Sequence, residues 1–573
     1  MEPFMHTHTK QPLPVELPRL TSASLGSTTR RLIALGAIAA TLGLTACGGG
    51  GGSGAPIAAA QIASGTVTGH GSVIVDGVEI EDAQAKVAYE HWDGSLTNGV
   101  VQLGQHVRVR HDERKIASKV VIDAAVTGTV GSIDSVNSTL VVAGQMVRIN
   151  DGSSTLPVTR FGGSYTALAD IAAGDWVEVH GVPQYDAQVA AYIVQATRVQ
   201  QLADATTVRV RGVISALDTT ARSFNFNGLT VRYGAAADAG RVTPGTATLV
   251  DGQPALVFGN GPAGTPGVLE AVAVRLGAPD PEMSTPGSVA RLGGTISSMD
   301  TAARTFTLQS LVVQWDSAVI EPAGSILADG DYVQMQGTVG SDGRIDAERV
   351  VVRGAAGSSE LASIMLLGEV SDYVDPTSFL VRDVPVDAST LDLSTLSCSG
   401  QALGDGLQVR VKAVAQADTP VVRATEVSCA PAKAIRIRPL RGSVQSVDAV
   451  ARTMVLTDRR AGAVTVRWSE DSTFLGLTAD QLSGGLALFI EAASTSEGAL
   501  WARVIRRDDG IARLDGDPFR DGAPLRLELP HAPDAENGPP TAESGRPPLH
   551  IEEGGPLGRL REKRDQFRLG HRR

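Results

Sequence analysis

Three cysteines in 573 residues are too few for a disulfide framework or a zinc cluster. Aromatic residues make up only 4% of the chain, and its tryptophans (Trp92, Trp176, Trp315, Trp468 and Trp501) are scattered. A stacking platform for sugars or bases needs aromatics gathered on one face, so these read as core or strand-surface packing. Phosphate-loop, nucleophile-elbow, zinc-protease and dinucleotide fingerprints do not occur in a fitting context. No catalytic residue, cofactor or metal is therefore expected, and the chain reads as a non-enzyme. The formal net charge of −12 weighs against a phosphate-binding surface over its body, and so against nucleic acid as a partner.

What is abundant is glycine, at 64 residues, with 29 prolines. Without a G-X-Y period this excludes collagen and points to the many turns of a short-stranded β protein.

The N-terminal segment reads as an address. Arg30 and Arg31 give a positive region, and the uncharged run Leu32 to Thr45 is too short to span a bilayer comfortably. It ends Leu44, Thr45, Ala46, Cys47, which resembles the bacterial lipobox. That resemblance implies export by the general secretory route, cleavage before Cys47 and lipidation of its thiol and amine, palmitate included. Gly48 follows where inner-membrane retention usually shows Asp, so outer-membrane delivery is implied, with the membrane as a partner through the anchor. The glycine run from Gly48 to Gly52 makes a flexible tether.

Beyond the tether the chain repeats. One block recurs as Gly128/Val130/Ile133/Asp134, Gly212/Ile214/Leu217/Asp218, Gly294/Ile296/Met299/Asp300 and Gly442/Val444/Val447/Asp448, with a weaker relative at Gly368, Val370 and Tyr373. Alternating apolar residues on two arms, joined at an Asp, predict a hairpin whose Asp caps the turn amides. A second block, Gly174/Val177/Val179, Gly252/Ala255/Val257, Gly330/Val333/Met335 and Gly404/Leu407/Val409, predicts a half-buried strand. A third pairs Ala with an aliphatic residue three later: Ala117/Val120, Ala196/Val199, Ala271/Val274, Ala347/Val350, Ala424/Val427 and Ala502/Ile505.

Each unit thus offers about five short strands in roughly 65 to 85 residues, and such strands hide their edges by curling into a barrel. The predicted class is all-β, a tandem array of small antiparallel barrels, OB-like or SH3-like, with disordered N- and C-terminal segments. The expected division is a signal peptide 1–46, tether 47–61, repeats 62–124, 125–204, 205–283, 284–357, 358–433 and 434–508, and a tail 509–573 with a basic end. Whether the units pack together or hang like beads stays open. The first unit, Gly65, Val67 and the run Gly69 to Val78, together with the later blocks, resembles the bacterial DUF5666 family of envelope lipoproteins. The family's motifs imply a fold and carry no activity.

Cys398 and Cys429 fall in one unit of an exported chain and are expected to form a disulfide, closing a loop of about 30 residues worth about 3 kcal/mol at best. His70, His91, His106 and His111 crowd the first unit, but His106 alternates with Arg108 and Arg110 on an expected polar face, and no carboxylates complete a metal site. The leading functional reading is an outer-membrane lipoprotein whose repeats bind a polysaccharide or an envelope protein, or act as spacers. The alternatives are a purely structural stalk, and nucleic-acid or oligosaccharide binding through OB-like faces. Intact mass of the membrane-extracted protein is expected to give a chain beginning at Cys47 and carrying lipid; an unlipidated chain would remove the anchor.

Overall fold

The computed structural model describes residues 61–508, apart from 153–155, 187–190, 203–206, 246–247, 261–266, 278–282, 284, 354–362, 399, 431–435 and 495–498. The signal, almost all of the tether and the tail lie outside the described residues.

The second unit shows how each repeat closes. Val126–Asp134, Thr139–Val142 and Gln145–Arg148 form an antiparallel meander. Gln145–Arg148 then pairs in parallel with Ala191–Gln201, which pairs with Trp176–Asp186, which returns to Val126–Asp134. The order 1-2-3-5-4-1 is a closed five-stranded Greek-key barrel of OB type, and closure removes the edges that short strands would otherwise expose. Parallel pairing between third and fifth strands recurs in the later units. The first unit makes the closure through the Glu81–Ile116 bridge.

The recurring sequence blocks have recurring mechanical roles. The carboxylates of Asp134, Asp218, Asp300 and Asp448 each accept hydrogen bonds from two turn amides, those of the residues two and three later. The block glycine lets the tip of the second hairpin lie against the first strand. A Cβ on Gly65 would stand 1.9 Å from Asp76 Oδ2, and one on Gly442 would stand 1.9 Å from the Thr457 carbonyl oxygen. The third-block alanines sit at a bulge, where Ala196, Ala271, Ala347 and Ala502 are buried opposite Gly181, Gly259, Gly337 and Ala492.

One block is corrected by a register of two residues. The N–H groups of Gly174, Gly252, Gly330 and Gly485 each donate to a first-strand carbonyl. In the fifth unit that donor is Gly406, to Val370 O at 2.9 Å. Gly406 alone has the left-handed φ (+85°) the turn requires, so the block reads Gly406, Val409, Val411 in place of Gly404, Leu407, Val409. Trp315 falls just after the strand Leu311–Gln314 and packs against the fourth core.

The barrels pack on one another. Gln61–His70 pairs with its own His106–His111 and, in parallel, with Val289–Thr295 of the fourth unit through residues 61–64. Its far end pairs with Ser363–Asp375 of the fifth unit at Gly69 and His70. One apolar core runs through the first and fifth barrels, joining Val67 and Val107 to Leu366 and Val411, while Ile62 belongs to the fourth core. Val126–Asp134 pairs with Thr207–Val213, joining the second and third units.

The expected polar face of His106–His111 is corrected in the same way: His106 and Arg108 are buried and Arg110 alone is exposed. The third unit covers that face. Asp123, with 2% of its side chain exposed, accepts from Arg209 Nη2 and from Arg211 Nη2 at 3.0 Å, and Arg108 Nε stands 3.5 Å away. Burial alone would push this carboxyl up; Arg211, Arg209 and Arg108 outweigh it and hold it well below the usual carboxylate range. Glu90 bridges Arg108 and Arg275 at 3.0 and 3.2 Å.

Asp123→Asn leaves three guanidiniums around a neutral amide and is expected to lower unfolding free energy by about 3–5 kcal/mol in urea titration; a change under about 1 kcal/mol would show the cluster to be solvent-screened. Asp76, in the second hairpin turn of the first unit, accepts from Tyr332 Oη of the fourth at 2.7 Å and from Thr66 N at 3.2 Å, and burial pushes it up to about 6. Its folded value lies above the ordinary aspartate value of 3.8, so its contribution is complete below pH 3.8 and is lost as pH rises through 6. Between pH 4 and 7 wild type is expected to lose up to about 3 kcal/mol relative to Asp76→Asn, any pH-independent cost cancelling in the comparison. Parallel stability curves would refute this.

Candidate functional site

Where the first, fifth and sixth barrels meet, two cavities of 310 and 490 Å³ share a wall made by His70, Val100, Val101, Arg382, Glu491 and Val504. The larger extends to Arg160, Phe161 and Arg198 of the second barrel. His70 is the last residue of Gln61–His70, and Glu491 lies on Ala487–Ser494. Arg382 and Asp383 form the tight turn between Ser378–Val381 and Val384–Asp387, with φ of 54° and 63°. Neither residue is the glycine or asparagine that suits such angles, and both are held by partners across the cleft.

Those partners belong to the sixth barrel. Arg382 Nε stands 3.7 Å from Glu491 Oε1. Asp383 accepts from Arg506 Nη2 at 2.7 Å and Arg441 Nη2 at 3.3 Å. Phe489 lies beneath both of these last guanidiniums, at 4.1 Å from Arg506 and 5.0 Å from Arg441. In the smaller cavity Arg503 Nη2 donates to Asp82 Oδ2 at 2.9 Å, and Thr473 Oγ1 donates to Gly99 O at 3.1 Å. Burial would push the Asp82 carboxyl up, but Arg503 and Arg382 hold it below its ordinary value.

Arg160 and Arg198 are placed differently, because their partners are neutral. Arg160 Nη2 donates to Pro420 O at 2.9 Å, and its Nη1 is buried with no hydrogen-bond partner. Arg198 donates to Leu103 O at 3.1 Å, to Gln200 Oε1 at 2.9 Å and to Gln102 Oε1. Burial pushes each guanidinium down to about 10; for Arg198 the charge of Arg160 adds to it and Glu178 opposes it, and both stay cationic at neutral pH. Burial pushes His70 down to about 3, aided by Arg382, so its imidazole is neutral there. The larger cavity therefore sets four guanidiniums against two carboxylates, in a chain whose net charge is −12.

The residues singled out by sequence go to separate places. Cys398 and Cys429 are disulfide-bonded, with Cα atoms 5.6 Å apart, tying the hairpin Ser397–Cys398/Gln401–Ala402 to the end of Val422–Cys429. Cys47 lies outside the described residues. The four histidines disperse: His70 to the cleft, His106 beside the Asp123 cluster, His91 to Thr97 Oγ1, and His111 to the Asp112 carbonyl. Among the described residues, no group of three or more His, Cys, Asp or Glu is arranged to hold a metal. Trp501 lines the smaller cavity, while Trp92 packs under Arg241 at 4.4 Å. The arginines of the cleft had no sequence signal. Arg198 occupies the position two after the block alanine, where Lys119, Arg349 and Glu426 stand in other units.

No curated protein matches the chain. Two solved structures with which it aligns are Drosophila Unr CSD456 (10% identity, 38% of this chain and 97% of that one, TM-score 0.12) and a multidomain protein with nucleic acid binding domains from Streptococcus pneumoniae TIGR4 (10% identity, 38% and 72%, TM-score 0.10). Residues 127–195 and 293–351, in the second and fourth barrels, match the family described as Domain of unknown function (DUF5666).

Proposed function

We propose that the chain is a lipid-anchored, non-enzymatic binding protein of the bacterial outer membrane, and that the cleft between its first, fifth and sixth barrels is the ligand site. The observation that carries this reading is the pair of confluent cavities, 310 and 490 Å³, walled by separate barrels. That size falls within the range that takes small molecules or the end of a polymer, and junctions between domains are where such sites form. The walls suit recognition: apolar faces from Val100, Phe161 and Phe489 surround a few fixed charges. The return of the fourth and fifth barrels to the first strand speaks for a built junction over a stalk of beads. An envelope polysaccharide is the partner class that suits a lipid-anchored protein with a cleft of this kind.

The reading is tested by filling the shared wall. Val100 lies outside any strand and faces both cavities, so Val100→Trp is expected to leave the melting temperature within a few degrees of wild type. It should abolish co-sedimentation of the full-length, detergent-extracted protein with purified envelope polysaccharide. Unchanged co-sedimentation would return the chain to the structural-stalk reading.

A further inference from the structure

Resting on the reading of the cleft as a ligand site, we propose that its larger cavity is an oxyanion receptor, in which Arg160 and Arg198 together hold a carboxylate or phosphate group of the ligand. Three observations carry this. The other two arginines of the cavity are already matched, Arg382 with Glu491 and Arg506 with Asp383, whereas Arg160 and Arg198 hydrogen-bond only to carbonyl and amide oxygens, with Glu178 acting on Arg198 without a hydrogen bond. Two like charges set side by side at a partly dry junction repel, and an anion between them converts that cost into attraction. The buried Nη1 of Arg160 is a donor without an acceptor, and a buried donor left unpaired is costly unless a ligand supplies the oxygen.

Glycines of the first and second barrels, Gly104 and Gly162, clear space for the pair. A Cβ on Gly162 would lie 2.1 Å from Arg198 Nη2, and one on Gly104 would lie 3.1 Å from Arg160 Cγ and 2.5 Å from the Thr197 carbonyl oxygen. Guanidinium forks suit planar oxyanions because they donate two parallel hydrogen bonds. Phe161 and Phe489 give the cavity apolar walls, beside which the attraction is screened less than in open water. His70, neutral in the shared wall, contributes a hydrogen-bonding group without adding charge. The chain as a whole, at net −12, repels anions, so selectivity for one resides in this cavity. A small organic acid, a phosphorylated small molecule or an acidic sugar residue all present the required group.

The test is calorimetric titration of the full-length protein with inorganic phosphate and, separately, with D-glucuronate, with D-glucose as the neutral control. At least one anion is expected to bind, more weakly as salt rises, while glucose does not. Arg160→Gln, which removes a side chain with one hydrogen bond, is expected to weaken binding about tenfold or more at unchanged melting temperature. Arg160→Lys, which keeps the charge and the stem, should recover part of the loss and serves where the Gln variant melts early. Binding of phosphate alone or glucuronate alone assigns the oxyanion. If neither anion binds, or if Arg160→Gln binds as wild type does, the assignment falls. Should Val100→Trp still lose polysaccharide co-sedimentation in that case, the cleft survives as a ligand site and only its anion preference is lost.

Discussion

The backbone hydrogen bonding of one strand, Gln61–His70, holds three barrels together. A strand offers two edges, and unpaired amides and carbonyls on either are costly when buried. Residues 61–66 pair along one edge with the strand's own partner, His106–His111, and the opposite edge at 61–64 is left for another barrel. The fourth unit covers one end and the fifth the other, both in parallel register. Register follows from this pairing: a shift of one residue would turn Ile62 out of the fourth core and Val67 out of the shared first and fifth core. The first member therefore joins the fourth and fifth to itself through one strand.

Side chains complete what the backbone begins, and they do so largely from one place in each unit, the tip of the second hairpin. Asp76 reaches Tyr332, Gln309 donates to the carbonyls of Ser64 and Gly293, Asn227 donates to Gln145, and Asp383 accepts from Arg441 and Arg506. All four stand at φ between 46° and 63°, so these turns trade backbone comfort for contact across a junction. Between the first and third units the task falls to Asp123 and its arginines. There the net gain depends on every charge being matched, since desolvation opposes the pairing.

Much of the fold was legible because its determinants are local. Asp134, Asp218, Asp300 and Asp448 cap turns that their own neighbours define, and the alternation of Val126–Asp134 follows from a strand with one face in a core. Gly404 was misread because spacing alone cannot tell which of two nearby glycines takes a left-handed turn. The cleft was illegible for a different reason. A residue that points out of its own barrel has no local partner, so its fate is set by whichever barrel arrives there. Arg198 and Arg349 hold the same place in two units, yet the first is 8% exposed at the cleft while the second pairs in solvent with Glu321. His106 and Arg108 are buried by the same logic, beneath the third unit.

The turn at Arg382 and Asp383 couples two things that are usually separate. Its backbone angles do not suit Arg382, and the groups that hold the turn in place, Glu491, Arg506 and Arg441, all belong to the sixth barrel. The rim of the cleft is thus assembled from the far end of the array. Any occupant that rests on this rim favours the docked position of the sixth barrel by the same free energy with which docking favours the occupant. A filled cleft would therefore tighten the grip of the last repeat on the fifth, through the same three ion pairs.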